Sequence, residues 1–165
     1  MSESHDSPAF IRALLTLDPS HQRAALAALR SSLRDGCELE AAPYVLPYGI
    51  TPAEEQAAFL VAGLFALHPE RGSASLAAAM RRVRDDTQSE SVEHRFRALL
   101  SAGRAELPTH LRHAVALVAS KGIALDWADL FRAVRDWDAD GAQRAKRRWA
   151  RDFWSDASPT TSNDT

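Results

Sequence analysis

The sequence predicts an all-α protein, a helical bundle of about eight helices that we expect to divide into two packed sub-bundles. Apolar residues recur at helical spacing through most of residues 9–154, and short segments with capping or stop residues separate these periodic runs. Alternating strand patterns are nearly absent. Only PYVLPYGI at residues 43–50 is rich in strand formers, and its two prolines argue against a ladder strand.

The composition is that of a globular domain without crosslinks. With 165 residues, 45% of them hydrophobic and 25% charged, the chain is long enough to bury a core. Its single cysteine, Cys37, excludes an internal disulfide. The N-terminus lacks the regions of a signal peptide, and the apolar run at residues 57–67 is too short to cross a bilayer. We therefore expect a cytoplasmic protein, without membrane contact, whose domain at residues 9–154 lies between disordered ends at residues 1–8 and 155–165.

Three helices are predicted in residues 9–68, the first sub-bundle. The first covers residues 9–17, Asp18 and Pro19 are the expected N-cap and first residue of the second, and Gly36 is its expected end. The sequence TPAE at residues 51–54 is a capping box that begins a third helix, which runs to residue 67. This helix is apolar on nearly every side, which predicts a central position in the bundle.

Five more helices are predicted in residues 74–154, the second sub-bundle, after a loop HPERGS at residues 68–73. They cover residues 75–84, 89–102, 107–120, 126–137 and 140–154. Residues that typically cap or stop helices delimit them: Ser89, Gly103, Gly122, Asp126 and Asp140. The chain is thus predicted to fold without a sheet.

Charge is unevenly distributed along the chain, whose formal net charge is −2. Residues 1–79 carry a net charge of −4, residues 80–154 carry +4, and arginine outnumbers lysine 18 to 2. Arginine suits planar, bidentate contacts with phosphate groups. A basic half within a slightly acidic protein can meet a polyanion without binding polyanions indiscriminately.

The last predicted helix, in GAQRAKRRWARDFW at residues 141–154, holds the densest positive charge. Its arginines share one face at helical spacing: Arg144, Arg147, Arg148 and Arg151. Trp149 and Phe153 lie on the opposite face and are predicted core anchors, whereas Trp154 lies off both faces and is the aromatic expected to face solvent. Two interpretations of the arginine face stay open: a solvated face that complements the helix dipole, or a face that binds anions.

The sequence contains no recognisable catalytic or metal-binding motif. The six histidines lack the spacing of zinc ligands, Cys37 has no catalytic context, and no phosphate-binding loop or nucleophile elbow is present. The segment DWDAD at residues 136–140 lacks the glycine and glutamate of a calcium loop, so a turn between helices explains it better. We therefore predict no enzymatic activity, no cofactor and no metal. The competing interpretation is an enzyme whose site is assembled from distant carboxylates.

Four segments occur in a characteristic order, namely SLAAAMRRVR, EHRFRALLSAGRAELPTHLRHAVALVA, ALDWADLFRAVRDWD and RAKRRWARDFW. The proline-flanked PYVLPYGITPAEEQAAFLVAGLFALHP precedes them. This ordered set resembles the CasB family, the small subunit of the type I-E CRISPR surveillance complex Cascade. The similarity spans residues 9–154, and the order of the segments carries it more than any one of them.

The resemblance implies an all-α, non-catalytic subunit of an RNA-guided antiviral complex. It also implies partners: guide RNA, target DNA, other Cascade subunits and a second copy of the chain. Such a subunit would help to hold target DNA and the displaced strand of the R-loop through phosphate contacts that do not read sequence.

Eight basic residues are the predicted nucleic-acid-binding site. Basic positions of the family match Arg95, Arg104, Arg112 and Arg144. The geometry of the last helix extends this set to Lys146, Arg147, Arg148 and Arg151. The alternative function is that of a helical adaptor whose arginine face docks on an acidic protein partner.

Overall fold

The computed structural model describes residues 8–137 and 141–155, which form an all-α bundle as predicted. One short strand, β1 (Arg71–Ala74), and nine helices occur within these residues. The helices are α1 (Ala9–Leu15), α2 (Arg23–Ser31), α3 (Ala42–Val45), α4 (Glu55–Leu67), α5 (Leu76–Thr87), α6 (Glu90–Ser101), α7 (Leu107–Ser120), α8 (Trp127–Arg135) and α9 (Ala142–Trp154). Two 3₁₀ turns, Glu38–Glu40 and Leu46–Tyr48, flank α3, so the PYVLPYGI run is helical rather than extended.

Hydrogen bonds at the helix ends confirm several predicted boundaries. The Ser75 hydroxyl accepts a bond from the first turn of α5 at 3.1 Å, and the Ser89 hydroxyl accepts one from the first turn of α6 at 3.3 Å. At the start of α8, the Asp126 carboxylate accepts a bond from the backbone N–H of Asp129 at 3.0 Å. Helix α7 spans the predicted residues, and Gly122 follows it with a left-handed φ of 65°. Local capping chemistry therefore sets the starts of α5, α6 and α8 and the end of α7.

The predicted start of the second helix at Asp18 and Pro19 is wrong. The Asp18 carboxylate accepts hydrogen bonds from the backbone N–H of Ser20 at 2.9 Å and from its hydroxyl at 2.6 Å, which closes a turn instead of capping a helix. Helix α2 begins later, at Arg23, and ends at Ser31. The predicted end at Gly36 is also wrong, although Gly36 has a left-handed φ of 78° in a following turn.

Helix α4 has the central position that its composition predicts. It contacts α1, α2, α3, α7 and α8. Gly63 lets the end of α2 approach closely, because a Cβ atom there would lie 2.6 Å from Leu33 Cγ and 2.7 Å from Ser32 Oγ. The Ser32 hydroxyl in turn donates a hydrogen bond to the Phe59 carbonyl oxygen at 2.7 Å. The predicted start of this helix in the TPAE box is wrong, because α4 begins at Glu55 with Glu54 as its N-cap. The Thr51 N–H donates to Glu54 Oε2 at 3.1 Å, and this bond belongs to the turn before the helix.

The segment predicted to be a loop at residues 68–73 contains most of β1. This strand forms parallel bridges with Leu125, and the N–H of Asp126 donates to the Ala74 carbonyl oxygen at 2.8 Å. Gly72 makes the approach possible, since a Cβ atom there would lie 2.8 Å from the Ala124 carbonyl oxygen. The loop prediction is therefore wrong, because this strand is defined by a contact across the chain and has no alternating pattern of its own.

Buried hydrophobic side chains from all nine described helices form one cluster. The division into sub-bundles at residues 9–68 and 74–154 stays a prediction. The disorder predicted for the two ends falls almost wholly on residues 1–7 and 156–165, which lie outside the described residues, as does the Asp140 cap. Among residues 8–137 and 141–155, no helix is both long enough and apolar enough to cross a membrane.

Candidate nucleic-acid interface

Helix α9 separates its core face from its charged face as predicted. Trp149 and Phe153 are fully buried, and Ala142 and Ala145 are buried above them along the same face. This face packs mainly against α5 and also against α8. Trp154, predicted to face solvent, is 38% exposed. Because its apolar face is fixed in the core, α9 presents the opposite face to solvent at a defined orientation.

Three arginines on the outer face of α9 are exposed and available to a ligand. Their side chains make no hydrogen bond or ion pair with any residue that the structure describes: Arg144, Arg147 and Arg151. They follow one another at spacings of three and four residues, which places them in a row along the helix. We call this row the arginine row. It is a set of uncompensated positive charges on a rigid support.

Arg148, predicted to belong to the same binding face, is used inside the protein. Its guanidinium Nη1 forms an ion pair with Asp129 Oδ1 of α8. The Asp129 side chain is 7% exposed, and its second oxygen accepts a hydrogen bond from Trp149 Nε1 at 3.1 Å. One carboxylate thus binds two adjacent side chains of α9 and ties α9 to α8.

Asp129 is the residue of this site that the sequence interpretation missed. It lies in the segment ALDWADLFRAVRDWD, in the first turn of α8, where the helix dipole stabilises a negative charge. The signal that could have identified it is its position among Trp127, Leu130 and Phe131, all of which are buried. Because α8 is buried on nearly every side, the acidic residue within it is buried too, and a buried carboxylate needs partners.

Lys146 is half-buried and packs against an aromatic ring. Its Nζ atom lies 4.7 Å from the centroid of the Trp137 ring, a cation–π contact. The Trp137 indole N–H donates to the Ala102 carbonyl oxygen at 2.8 Å, which holds the ring in place. Lys146 therefore stabilises the junction between α9 and the end of α8, and helical geometry places it on the side of buried Phe153, away from the arginine row.

Arginines of α5 and α6 surround the C-terminal end of α9. Arg81 donates to the Ser155 carbonyl oxygen at 2.9 Å, and Arg84 donates to the Phe153 carbonyl oxygen at 3.2 Å. These bonds satisfy carbonyl groups that a helix end leaves without partners. The Arg97 guanidinium lies 4.9 Å from the Trp154 ring centroid. Their positive charge is thus used to hold α9 in place.

Arg97 also pairs with an acid on its own helix, whereas Arg95 has no such partner. Arg97 Nη2 lies 2.8 Å from Glu93 Oε1, and this hydrogen bond lowers the pKa of the Glu93 carboxyl below its ordinary value. Arg95 is exposed, and its side chain contacts no hydrogen-bonding partner among the described residues. Arg95 is therefore the cation of α6 that is free to meet a ligand.

The other two predicted residues, Arg104 and Arg112, lie together in a different place. They line a groove with a volume of about 800 Å³, and no α9 residue contributes to its walls. Arg104 is half-buried and donates from Nη1 to the Val134 carbonyl oxygen at 2.9 Å. Arg112 is exposed at the groove edge. The structure therefore places three of the predicted residues in the arginine row and two in the groove, whereas Arg148 pairs with Asp129, Lys146 packs on Trp137 and Arg95 is exposed on α6.

Comparisons of this chain with known proteins all match it to relatives of one family. The model of the family described as CRISPR-associated protein Cse2 matches residues 25–154. A CRISPR-associated protein Cse2 from Thermus thermophilus is 35% identical over 137 residues, which cover 79% of this chain and 79% of that protein. The crystal structure of a Cse2-family protein from the same organism has a TM-score of 0.77 and 34% identity, and the alignment covers 90% of this chain and 98% of that chain.

A chain of a CRISPR RNA-guided surveillance complex is also similar in fold. Its TM-score is 0.74 at 24% identity, and the alignment covers 89% of this chain and 90% of that chain. At this level of identity the likeness concerns the arrangement of the helices.

Proposed function

Because this chain belongs to the Cse2 (CasB) family of CRISPR-associated proteins, we propose that it is the non-catalytic small subunit of a type I-E CRISPR surveillance complex, Cascade. In this proposal it binds the sugar–phosphate backbone of guide RNA or target DNA, stabilises the R-loop and its displaced strand, and so contributes to antiviral defence. Its other partners are the remaining Cascade subunits and a second copy of itself. A chain of the same fold in an RNA-guided surveillance complex supports this assignment.

The observation that carries the nucleic-acid role is the arginine row of α9. Arg144, Arg147 and Arg151 are exposed, without partners among the described residues, and supported by a helix whose other face is buried. Guanidinium groups make bidentate contacts with phosphate oxygens. Arg95 is a further exposed cation, on α6, without a hydrogen-bonding partner among the described residues. Contacts of this kind position a nucleic acid without reading its sequence, which in an RNA-guided complex is the task of base pairing.

The small net charge fits a subunit that acts inside an assembly. A protein with a net charge of −2 has little general attraction for free polyanions. Once docked beside the nucleic acid, the arginine row meets phosphate groups at a high effective concentration. Opening the DNA duplex against an RNA guide is close to balanced in free energy, so a few added backbone contacts shift the equilibrium toward the open R-loop.

The test removes the arginine row in the assembled complex. We expect R144Q/R147Q/R151Q to join the complex normally, to weaken target-DNA binding, and to lower the slope of log K against log salt by about 2–3, which is the counterion release of three phosphate contacts. Target affinity is measured at several salt concentrations with the complete RNA-bearing complex. The matched control is R12Q/R23Q/R71Q, which removes the same charge from exposed positions elsewhere.

Two outcomes would contradict the proposal. An unchanged affinity and salt slope in the triple variant would show that the arginine row does not contact nucleic acid. An equal loss in the control variant would show a general effect of net charge. A triple variant that fails to join the complex while wild-type protein joins it would favour the alternative, in which the row docks on an acidic protein surface.

A further inference from the structure

The groove that contains Arg104 and Arg112 has features that the nucleic-acid role does not explain. It lies between the end of α2, the first 3₁₀ turn, the start of α4 and the start of α7, and its volume is about 800 Å³. Apolar side chains make up much of its lining: Leu33, Leu39, Phe59, Leu60, Leu107 and Pro108. We call this the α2–α7 groove. Its walls combine segments that are distant in sequence.

The charge of the α2–α7 groove disfavours a polyanion. Three carboxylates line it, from Asp35, Glu38 and Glu55, and none of them has a hydrogen-bonding or ionic partner among the described residues. Two cations, Arg104 and Arg112, also line the groove, and Arg104 donates to the Val134 carbonyl oxygen. With three carboxylates and two guanidinium groups, the lining has a formal charge of −1 (+2 and −3), so phosphate groups entering the groove would meet net negative charge. A ligand that carries positive charge would neutralise it.

Leu39 lies at the rim of the groove and is unusually exposed. Its relative accessibility is 79%, the highest among the large hydrophobic residues that the structure describes. The 3₁₀ turn holds it there, with a bond from the Ala41 N–H to the Glu38 carbonyl oxygen at 3.0 Å. An ordered, exposed leucine next to an apolar groove provides a contact that a partner can bury.

We propose that the α2–α7 groove docks a segment of a protein partner that carries an apolar side chain flanked by lysine or arginine. The apolar side chain packs against Leu39 and the groove lining, and the cations pair with Asp35, Glu38 and Glu55. The partner is another subunit of the surveillance complex, so this identification rests on the proposed function. The chain then uses one surface to join the assembly and another, the arginine row, to hold nucleic acid.

Charge reversals at two residues of the first 3₁₀ turn, one inside the groove and one outside it, test whether the groove docks a partner. Glu38 lines it, whereas Glu40, two residues later in the same 3₁₀ turn, does not. We expect E38K/E55K and L39D to lower the occupancy of this chain in the complex at least tenfold at limiting concentration. E40K should retain wild-type occupancy. Complexes are purified through a tag on another subunit, and the amount of this chain per complex is measured by native mass spectrometry.

The folding of the variants is checked independently. Leu39 and Glu55 are exposed and Glu38 is half-buried without a hydrogen-bonding partner among the described residues, so the melting temperatures of the isolated variants should stay close to that of the wild-type protein. Wild-type occupancy of both E38K/E55K and L39D would overturn the proposal. A wild-type chain that does not enter the complex at all would overturn the proposed function as well, so the two failures are distinguishable.

A photo-crosslinking amino acid at position 39 identifies the occupant directly in the assembled complex. A crosslink to a different protein subunit, at a segment with apolar and basic side chains, supports the proposal. A crosslink to RNA or DNA, or to a second copy of this chain, overturns it.

Discussion

Replacing Asp129 with alanine should lower the free energy of unfolding by about 2–4 kcal/mol, because one carboxylate serves two donors on α9. Trp149 is fully buried and its indole N–H lies 3.1 Å from Asp129 Oδ2, so the loss of this acceptor costs about 1–3 kcal/mol. The Arg148 side chain is 45% exposed and regains water, so its lost ion pair adds only about 1 kcal/mol.

Urea unfolding followed by tryptophan fluorescence measures this loss. In thermal unfolding, a loss of about 2–4 kcal/mol corresponds to a decrease in Tm of about 4–16 °C for a domain of this size. Arg147→Ala is the matched control, since Arg147 neighbours Arg148 on α9 but has no partner among the described residues. We expect that control to change the free energy of unfolding by less than about 0.5 kcal/mol.

A double-mutant cycle isolates the ion pair from the indole bond. Asp129→Ala and Arg148→Ala should show a coupling energy of about 1 kcal/mol. A loss below about 0.5 kcal/mol in Asp129→Ala, or additivity within about 0.3 kcal/mol in the cycle, would refute the reasoning. In the complex, Arg148→Gln should leave the salt slope of DNA binding unchanged, whereas Arg147→Gln should lower it by about 0.7–0.9.

Gly72→Ala should destabilise the protein by about 1–3 kcal/mol, because the new Cβ would lie 2.8 Å from the Ala124 carbonyl oxygen and push β1 away. A urea midpoint equal to that of the wild-type protein would contradict this. Arg84→Ala should cost about 1–2 kcal/mol, since it removes a bond to the Phe153 carbonyl oxygen and a guanidinium lying 4.7 Å from the Phe153 ring centroid. Thermal unfolding measures this second loss, and an unchanged Tm would show that α9 does not need the contact.

Helices and their caps were predictable because their causes are local. Ser75, Ser89 and Asp126 accept bonds from residues two or three positions further along the chain, so the sequence contains both partners. Asp18 shows the limit of this reasoning. The same side chain that caps a helix also closes a turn, and here its bonds to Ser20 form the turn.

The two faces of α9 were also determined by the sequence alone. Helical periodicity placed Trp149 and Phe153 opposite the arginines, and the structure buries both aromatic residues completely. The separation of the apolar face from the charged face depends only on the spacing of residues along one helix. The family could be recognised for a related reason, because the order of the segments along the chain carries the resemblance.

Only the tertiary structure decided which cations remain free to bind a ligand. Arg147 and Arg148 are neighbours of the same type on the same helix, yet Arg148 pairs with a buried carboxylate 19 residues earlier and Arg147 has no partner among the described residues. Arg104 and Arg112 likewise lie in a groove apart from α9. Periodicity determines the direction in which a side chain points. Whether the side chain meets an opposite charge depends on how the helices pack, because packing brings together residues that are distant in sequence.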